Sequence, residues 1–165
     1  MNEQIIQPIS PADLTAIRRL FEEYAASLNV DLCFQNFAAE LAGLPGAYAP
    51  PRGRLLLAVI DGTPAGCAAL RPRGERAGEM KRLYVRPGRQ GLGLGRRLAE
   101  RVIAEACAIG SATLLLGTLP NLRPARRLYE SLGFVRRPPY FQSPVDGNVF
   151  MELRLAGPEG HAEAG

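Results

Sequence analysis

Apolar residues near the start of the chain recur at steps of three and four, which predicts a helix. The helix is expected to begin at Ser10, an N-cap residue followed by Pro11 and the acidic Asp13. One helical face then carries Leu14, Ile17, Phe21, Tyr24 and Leu28. A second, shorter helix is predicted over 37–44, ahead of the stretch 45–53, which is rich in proline and glycine.

Short apolar and β-branched runs later in the chain predict strands. Runs 55–60 and 65–70 flank the turn dipeptide Asp61-Gly62 and predict a β-hairpin. The further predicted strands are 79–85, 112–116, 134–141 and 149–155. Two helices separate them: one carries an apolar stripe over 94–109 and is closed by Gly110, and the other begins at Pro124 and is capped by Gly133.

The order of the elements predicts the fold class. Two helices, three strands and then alternating helices and strands favour an α/β (α+β) fold, in which a mixed central sheet carries helices on both faces. A chain of 165 residues is typical of one domain. We expect residues 1–155 to form that domain and residues 156–165 to be a disordered C-terminal tail.

Composition excludes several function classes. The chain is 47% hydrophobic, yet it has no apolar run of the length that spans a membrane and its first ten residues lack a signal-peptide pattern, so we expect a cytoplasmic protein with no membrane partner. Cys33, Cys67 and Cys107 are odd in number and widely spaced, and the lone His161 lies in the tail. We therefore expect no disulfide framework, no metal site and no histidine-based nucleophile.

The net charge of +4 is unevenly distributed. Ten of the 20 lysine and arginine residues lie between Arg71 and Arg101, where there are three acidic residues, so the middle of the chain is expected to generate a positive potential. No nucleic-acid-binding motif or aromatic stacking platform accompanies these charges. We therefore expect no nucleic-acid partner.

A glycine-rich stretch between a predicted strand and a predicted helix is the sharpest motif. It comprises Gln90, Gly91, Leu92, Gly93, Leu94, Gly95 and Arg96. Glycines let a backbone approach a ligand closely, and the first N–H groups of a helix lack partners within it, so this segment favours phosphate binding. It is neither a Walker A loop nor a GxGxxG fingerprint. The alternative is a turn that only starts the helix.

Residues 90–95 match the signature Q/R-x-x-G-x-G/A of the GNAT acetyltransferases, and the chain resembles this family. Leu83-Tyr84-Val85 precedes the signature as the end of a strand, and residues 128–134 match a second family element, L-Y-x-x-x-G-F. The likeness extends over 5–155. It implies a GNAT-like fold and acetyl-CoA as cosubstrate.

The resemblance also implies how acetyl-CoA is held. The backbone of Leu83, Tyr84 and Val85 would pair with the pantetheine arm, and the N–H groups of residues 91–96 would hold the pyrophosphate. The asparagine that often contacts pantetheine in the family falls at Leu122 here, with Asn121 one residue away, so Asn121 is the candidate for that contact.

Two residues are the catalytic candidates. Tyr129 matches the family phenol that donates a proton to the departing thiolate; the alternative is a core tyrosine. Glu79 resembles the general base of the histone-acetyltransferase branch, acting through water or with a raised pKa; the alternative is an exposed carboxylate at the strand end, paired with Arg82 or Lys81. Another branch places its base on the following strand, where this chain has Gly117.

The predicted function is transfer of the acetyl group of acetyl-CoA to a primary amine, on a small molecule or a peptide, by direct attack in a ternary complex. The alternative is a non-catalytic acyl-CoA-binding regulatory module. We expect a monomer or a homodimer. A group of acidic residues in the first two helices would suit a cationic acceptor: Glu22, Glu23, Asp31 and Glu40.

Overall fold

The computed structural model describes residues 2–8, 10–28, 36–143 and 145–155. The predicted tail 156–165, Cys33, Asp31 and His161 lie outside these ranges. The strands are β1 (Glu3–Ile6), β2 (Arg54–Ile60), β3 (Thr63–Pro72), β4 (Ala77–Val85), β5 (Thr113–Thr118), β6 (Val135–Arg137) and β7 (Val149–Arg154). The α-helices are α1 (Pro11–Ser27), α2 (Phe37–Ala42), α3 (Leu94–Ile109) and α4 (Arg123–Ser131).

The strands form one seven-stranded sheet in the order β1-β2-β3-β4-β5-β7-β6. β4 and β5 pair in parallel, whereas the other neighbouring strands pair antiparallel. A parallel pair needs a crossover connection, and α3 supplies it between β4 and β5. The predicted mixed sheet is confirmed.

Helices cover both faces of the sheet, because successive side chains of a strand point to opposite faces and both faces carry apolar residues. Leu55 and Leu57 of β2 pack in one hydrophobic cluster with residues of α1. Leu56 and Ala58 point to the opposite face and pack with residues of α3 and α4. The continuous apolar run of β2 is therefore buried on both faces of the sheet.

The predicted ends of α1 and α3 agree with the structure, whereas the second helix, predicted over 37–44, ends at Ala42. The Ser10 hydroxyl accepts a hydrogen bond from the Asp13 backbone N–H at 3.0 Å, which caps α1. Gly93 and Gly110 flank α3 with φ values of +78° and +96°, a left-handed conformation that favours glycine.

Two strand predictions were wrong. β1 was not predicted, since its EQII sequence is too short for a clear pattern; it gains its stability from pairing with β2 and from an ion pair between Glu3 and Arg97 of α3. The strand predicted over 134–141 is limited to Val135–Arg137, because Pro138 and Pro139 have no N–H for a ladder. In the part of the chain that the structure describes, no helix has the length and apolarity to cross a bilayer.

Candidate active site

β4 and β5 separate part way along their length. Their pairing runs from Ala77 opposite Thr113 to Glu79 opposite Leu115, and no further pair joins them among the described residues. β4 remains paired with β3 as far as Val85, and β5 remains paired with β7 as far as Thr118. The two strands therefore diverge, and the facing backbone edge of β4 beyond Glu79 is open to an extended ligand.

A β-bulge in β4 accompanies this divergence. The register with β3 shifts between Cys67 and Ala69, and Arg82 has a φ of +60°. That conformation is strained for a residue with a side chain, and such strain persists only where the surroundings impose it. The Arg82 guanidinium donates to both oxygens of Glu40 at 2.9 Å and lies over the Phe37 ring. α2 therefore holds Arg82 in the bulge.

Two adjoining cavities lie at the divergence, each of about 50 Å³. They share Tyr24, Met80, Lys81, Arg82, Gly117 and Thr118. The first, here the Tyr129 cavity, is completed by Leu83, Leu116, Leu122, Ala125 and Tyr129. The second, here the Asn148 cavity, is completed by Leu28, Glu79, Leu119, Phe141 and Asn148. The open edge of β4 is thus next to two cavities that share part of their lining.

The glycine-rich segment lies at the end of β4. Gly91 has a φ of +80° and an added Cβ there would meet no atom within 4 Å, so the backbone is exposed on that side. A Cβ on Gly95 would lie 3.7 Å from Val85 and 3.9 Å from Leu128, which places the start of α3 beside β4 and α4. The unpaired N–H groups and the positive dipole end of α3 are therefore next to the open strand edge.

The other predicted cofactor residues have distinct placements. The Gln90 side chain donates to the Val85 carbonyl at 3.1 Å and so ties the segment to β4. The Leu94 side chain is buried in the core, so only its backbone can face a ligand. Arg96 is exposed and donates to the Ser131 hydroxyl at 2.9 Å. Asn121 is exposed, and its neighbour Leu122 instead lines the Tyr129 cavity.

Tyr129 lies on α4 with its ring packed against Phe134 and 7% of its surface exposed. Burial raises the pKa of its phenol above the ordinary value, and the neighbouring Tyr24 adds to the shift. The phenol is therefore protonated at neutral pH. It lines the cavity formed where β4 and β5 diverge, so it can act as a proton donor there.

Glu79 is buried within β4, with 2% of its surface exposed, so the alternative of an exposed carboxylate at the strand end is wrong. One carboxylate oxygen accepts from Arg71 Nε at 2.7 Å, and the other accepts from the Tyr140 hydroxyl at 2.6 Å. Burial alone would raise its pKa. The charge of Lys81, the Tyr140 hydrogen bond and Arg71 together outweigh burial, so the pKa of Glu79 lies below its ordinary value.

Two of the acidic residues expected to attract a cationic acceptor are engaged elsewhere. Glu23 forms a salt bridge with Arg86 at 2.8 Å, and Glu40 is bound to Arg82. Glu22 is exposed on α1. Among the residues that the structure describes, the charged ones lining the Asn148 cavity are Glu79, Lys81 and Arg82.

The sequence patterns did not indicate that Lys81 and Asn148 line a cavity at the candidate site. Lys81 lies two residues after Glu79 on the same strand, a spacing that places both side chains on one face and could have indicated its position. Asn148 precedes β7 in a turn with no motif, so no sequence signal places it in the cavity. Phe141 lines the Asn148 cavity and packs against Phe150 with ring centroids 4.9 Å apart.

The described cysteines are unsuited to nucleophilic catalysis. Cys67 is fully buried, its thiol contacts the Arg82 carbonyl, and burial raises its pKa. Cys107 is partly buried on α3. Within the described ranges, no group of histidine, cysteine and acidic side chains has the arrangement of a metal site.

Comparisons with known proteins agree with this geometry. The Acetyltransferase (GNAT) family matches residues 14–134. An N-acetyltransferase of Schizosaccharomyces pombe is 41% identical over 88% of this chain and 91% of its own length, and the IAA acetyltransferase of Azospirillum brasilense is 40% identical over 94% of this chain and 93% of its own length.

Solved structures share the architecture. An acetyltransferase of Salmonella typhimurium, solved with its cofactor acetyl-CoA, superposes with a TM-score of 0.65 at 26% identity, covering 94% of this chain and 95% of that chain. The family match, the two relatives and the shared architecture all indicate the same protein family. The chain belongs to the GNAT family of acetyltransferases.

Proposed function

We propose that this protein transfers the acetyl group of acetyl-CoA to a primary amine, on a small molecule or a peptide, by direct attack in a ternary complex. The observation that carries the proposal is the divergence of β4 and β5, which opens a strand edge beside the N-terminus of α3 and encloses Tyr129. The names of the relatives from S. pombe and A. brasilense, both acetyltransferases, support the reaction class.

The chain offers backbone groups suited to acetyl-CoA. The open edge of Leu83, Tyr84 and Val85 would pair with the amides of the pantetheine arm, and the N–H groups over 91–96 would bind the pyrophosphate. Bound acetyl-CoA supplies an activated thioester. A backbone N–H of residues 83–85 would polarise its carbonyl, because a hydrogen-bond donor stabilises the negative charge that develops on that oxygen.

Proton transfers complete the reaction. A C–N bond forms, the C–S bond breaks, the amine loses one proton and the departing sulfur gains one. Tyr129 is proposed as the donor to sulfur, since its phenol is protonated and the residue lines the cavity. Glu79 is proposed to accept the amine proton through water, because both of its oxygens are already hydrogen-bonded, to Arg71 and to Tyr140. Its lowered pKa makes it a weak base by either route.

Direct attack is favoured over an acetyl-cysteine intermediate, because neither described cysteine is suited to attack the thioester. The Cys67 thiol is buried and its pKa is raised, and Cys107 is partly buried on α3.

The test is release of CoA thiol from acetyl-CoA over a panel of primary amines, with the acetylated product identified by mass spectrometry. Amine-dependent thiol release with a matching product supports the proposal. CoA binding without turnover of any amine would instead favour an acyl-CoA-binding regulatory module.

A further inference from the structure

We propose, on the basis of the acetyl transfer and the role of Glu79 proposed above, that Tyr140 is a positioning residue. Its hydroxyl holds the Glu79 carboxylate in the orientation in which Glu79 accepts the amine proton through water. Tyr140 lies in the irregular segment 138–143 between β6 and β7, here the aromatic segment. The role rests on where the donors to Glu79 come from, on how the aromatic segment is anchored, and on the cavity that both line.

The two hydrogen bonds to Glu79 come from opposite sides of β4. Arg71 lies directly across from Glu79 in the β3–β4 ladder, and its Nε donates to one carboxylate oxygen at 2.7 Å. The Tyr140 hydroxyl donates to the other oxygen at 2.6 Å, and its ring packs against Phe150 of β7, beyond β5 on the other side of β4. A carboxylate rotates readily about its last torsion, so donors on both oxygens restrict that rotation. Since a carboxylate accepts about four hydrogen bonds, these two donors leave capacity for a water molecule.

The aromatic segment is held in place by contacts of its own. The Tyr140 ring packs edge-on against Phe141 and Phe150, with ring centroids 5.3 Å from each. The Arg73 guanidinium lies 4.9 Å from the centre of the Tyr140 ring and donates to the Tyr140 carbonyl at 3.3 Å. A Cβ added at Gly117 would lie 3.5 Å from Phe141 and from Phe150, so these rings pack close to the β5 backbone. A ring fixed in this way presents its hydroxyl at a defined place.

The aromatic segment also forms part of the Asn148 cavity. Phe141 lines this cavity together with Glu79, and Phe141 directly follows Tyr140 in the chain. Packing that fixes this wall of the cavity therefore also fixes the donor to the carboxylate. The position of the Glu79 carboxylate is thus tied to one of the two cavities at the β4–β5 divergence.

The charged groups that face Glu79 come from two neighbouring strands. Lys81 lies on β4, Arg71 on β3, and Arg73, just after β3, approaches the carboxylate at 3.9 Å. Burial raises the pKa of the Glu79 carboxyl. The charge of Lys81, the Tyr140 hydrogen bond and Arg71 together outweigh burial and lower that pKa. Removal of the Tyr140 hydroxyl leaves all three cations in place, so a resulting rise in the pKa of Glu79 reports on this one hydrogen bond.

The first experiment measures the hydrogen bond without any substrate. Tyr140→Phe removes the hydroxyl and keeps the ring. The control Arg137→Met removes a guanidinium 5.5 Å from the Tyr140 ring and its hydrogen bond to the Pro138 carbonyl, but keeps the hydroxyl. ¹³C NMR follows the Glu79 carboxyl, assigned by its absence in Glu79→Gln, over the pH range in which urea denaturation shows each variant to be folded. The midpoint should rise by roughly one to two pH units in Tyr140→Phe and stay unchanged in Arg137→Met.

Single-turnover acetyl transfer then measures what the orientation contributes. Glycine, glycinamide, putrescine and benzylamine are tested at neutral pH with saturating acetyl-CoA, and the fastest acceptor is used for every variant. Tyr140→Phe should lower the rate roughly 10- to 100-fold with unchanged acetyl-CoA affinity, as misplacement of a reacting group does. In the Glu79→Gln background the same substitution should cause no further loss, because Tyr140 acts through Glu79. Arg137→Met should stay close to the wild-type rate.

The outcomes separate this proposal from the one on which it rests. A wild-type midpoint or a wild-type rate in Tyr140→Phe would overturn the positioning role and leave acetyl transfer intact. An equal loss of rate with and without Glu79, or a wild-type rate in Glu79→Gln, would also overturn it, because Tyr140 would not act through Glu79. A similar loss in Arg137→Met would assign the effect to packing of the aromatic segment. If the wild-type protein turns over no primary amine, acetyl transfer itself fails, whatever the NMR titration shows.

Discussion

Replacing Gly91 by alanine should weaken CoA binding, whereas the same replacement at Gly110 should not. Gly91 has a φ of +80°, which is unfavourable for any residue with a Cβ, while an added Cβ meets no atom within 4 Å. Gly110, after the other end of α3, offers a matched control, with a φ of +96° and equally open surroundings. The two substitutions therefore impose the same kind of backbone strain at opposite ends of one helix.

The size of each effect follows from this geometry. Left-handed strain costs roughly 1–2 kcal/mol for a residue with a side chain, so both variants should lose about that much free energy of unfolding. In Gly91→Ala the loop can relieve its strain by rotating its N–H groups away from the phosphates. Hydrogen bonds to a charged group contribute about 1.5–3 kcal/mol, so loss of one would raise the Kd for CoA by roughly 10- to 100-fold.

Chemical denaturation and isothermal titration calorimetry with CoA measure the two effects separately. We expect similar losses of stability in Gly91→Ala and Gly110→Ala, with weakened CoA binding in Gly91→Ala alone. If both folded variants bind CoA as tightly as the wild type, the glycine-rich segment does not hold the pyrophosphate. If both lose CoA binding equally, the loss reflects strain in α3 rather than contact with the phosphates.

Three further substitutions test individual side chains. Tyr129→Phe should lower single-turnover acetyl transfer by about 10²- to 10⁴-fold with unchanged acetyl-CoA affinity, and a wild-type rate would reduce Tyr129 to a packing residue. Glu79→Gln should depress the rate most at low pH and recover as pH approaches the pKa of the acceptor amine, whereas a pH–rate profile that overlays the wild type would remove Glu79 as the base. Glu40→Gln leaves the buried Arg82 without its anion and should cost about 3 kcal/mol of stability in urea denaturation, unlike the exposed Glu22→Gln.

The elements whose sequence alone carries a strong local signal were predictable. The Ser10 cap and the apolar steps of α1, the apolar run of β2 and the glycine at each end of α3 are local patterns, and the structure confirms them. β1 forms by pairing with β2, which is distant in the sequence, so its local pattern did not predict it. β6 ends at the two prolines that follow it, so its length was overestimated.

The position of candidate site residues was indicated only where a motif or a strand register marks it. The glycine-rich segment and Tyr129, both singled out by motifs, lie beside the β4–β5 divergence. The environment of Glu79 was not predictable, because Arg71 reaches it from β3 and Tyr140 reaches it from a segment 61 residues away. Burial would raise the pKa of Glu79, but the charge of Lys81, the Tyr140 hydrogen bond and Arg71 together lower it. Of these contacts, the one from Tyr140 depends on packing between segments distant in the sequence.

Amide hydrogen exchange with and without acetyl-CoA tests the central claim most directly, because that claim places the ligand on a defined stretch of backbone. We predict that acetyl-CoA slows exchange at the amides of residues 83–85 and 91–96, with little change along β2, whose edges are already paired with β1 and β3. Binding that leaves exchange at residues 83–85 and 91–96 unchanged, or that protects a different surface, would contradict the assignment of the β4–β5 divergence as the acetyl-CoA site.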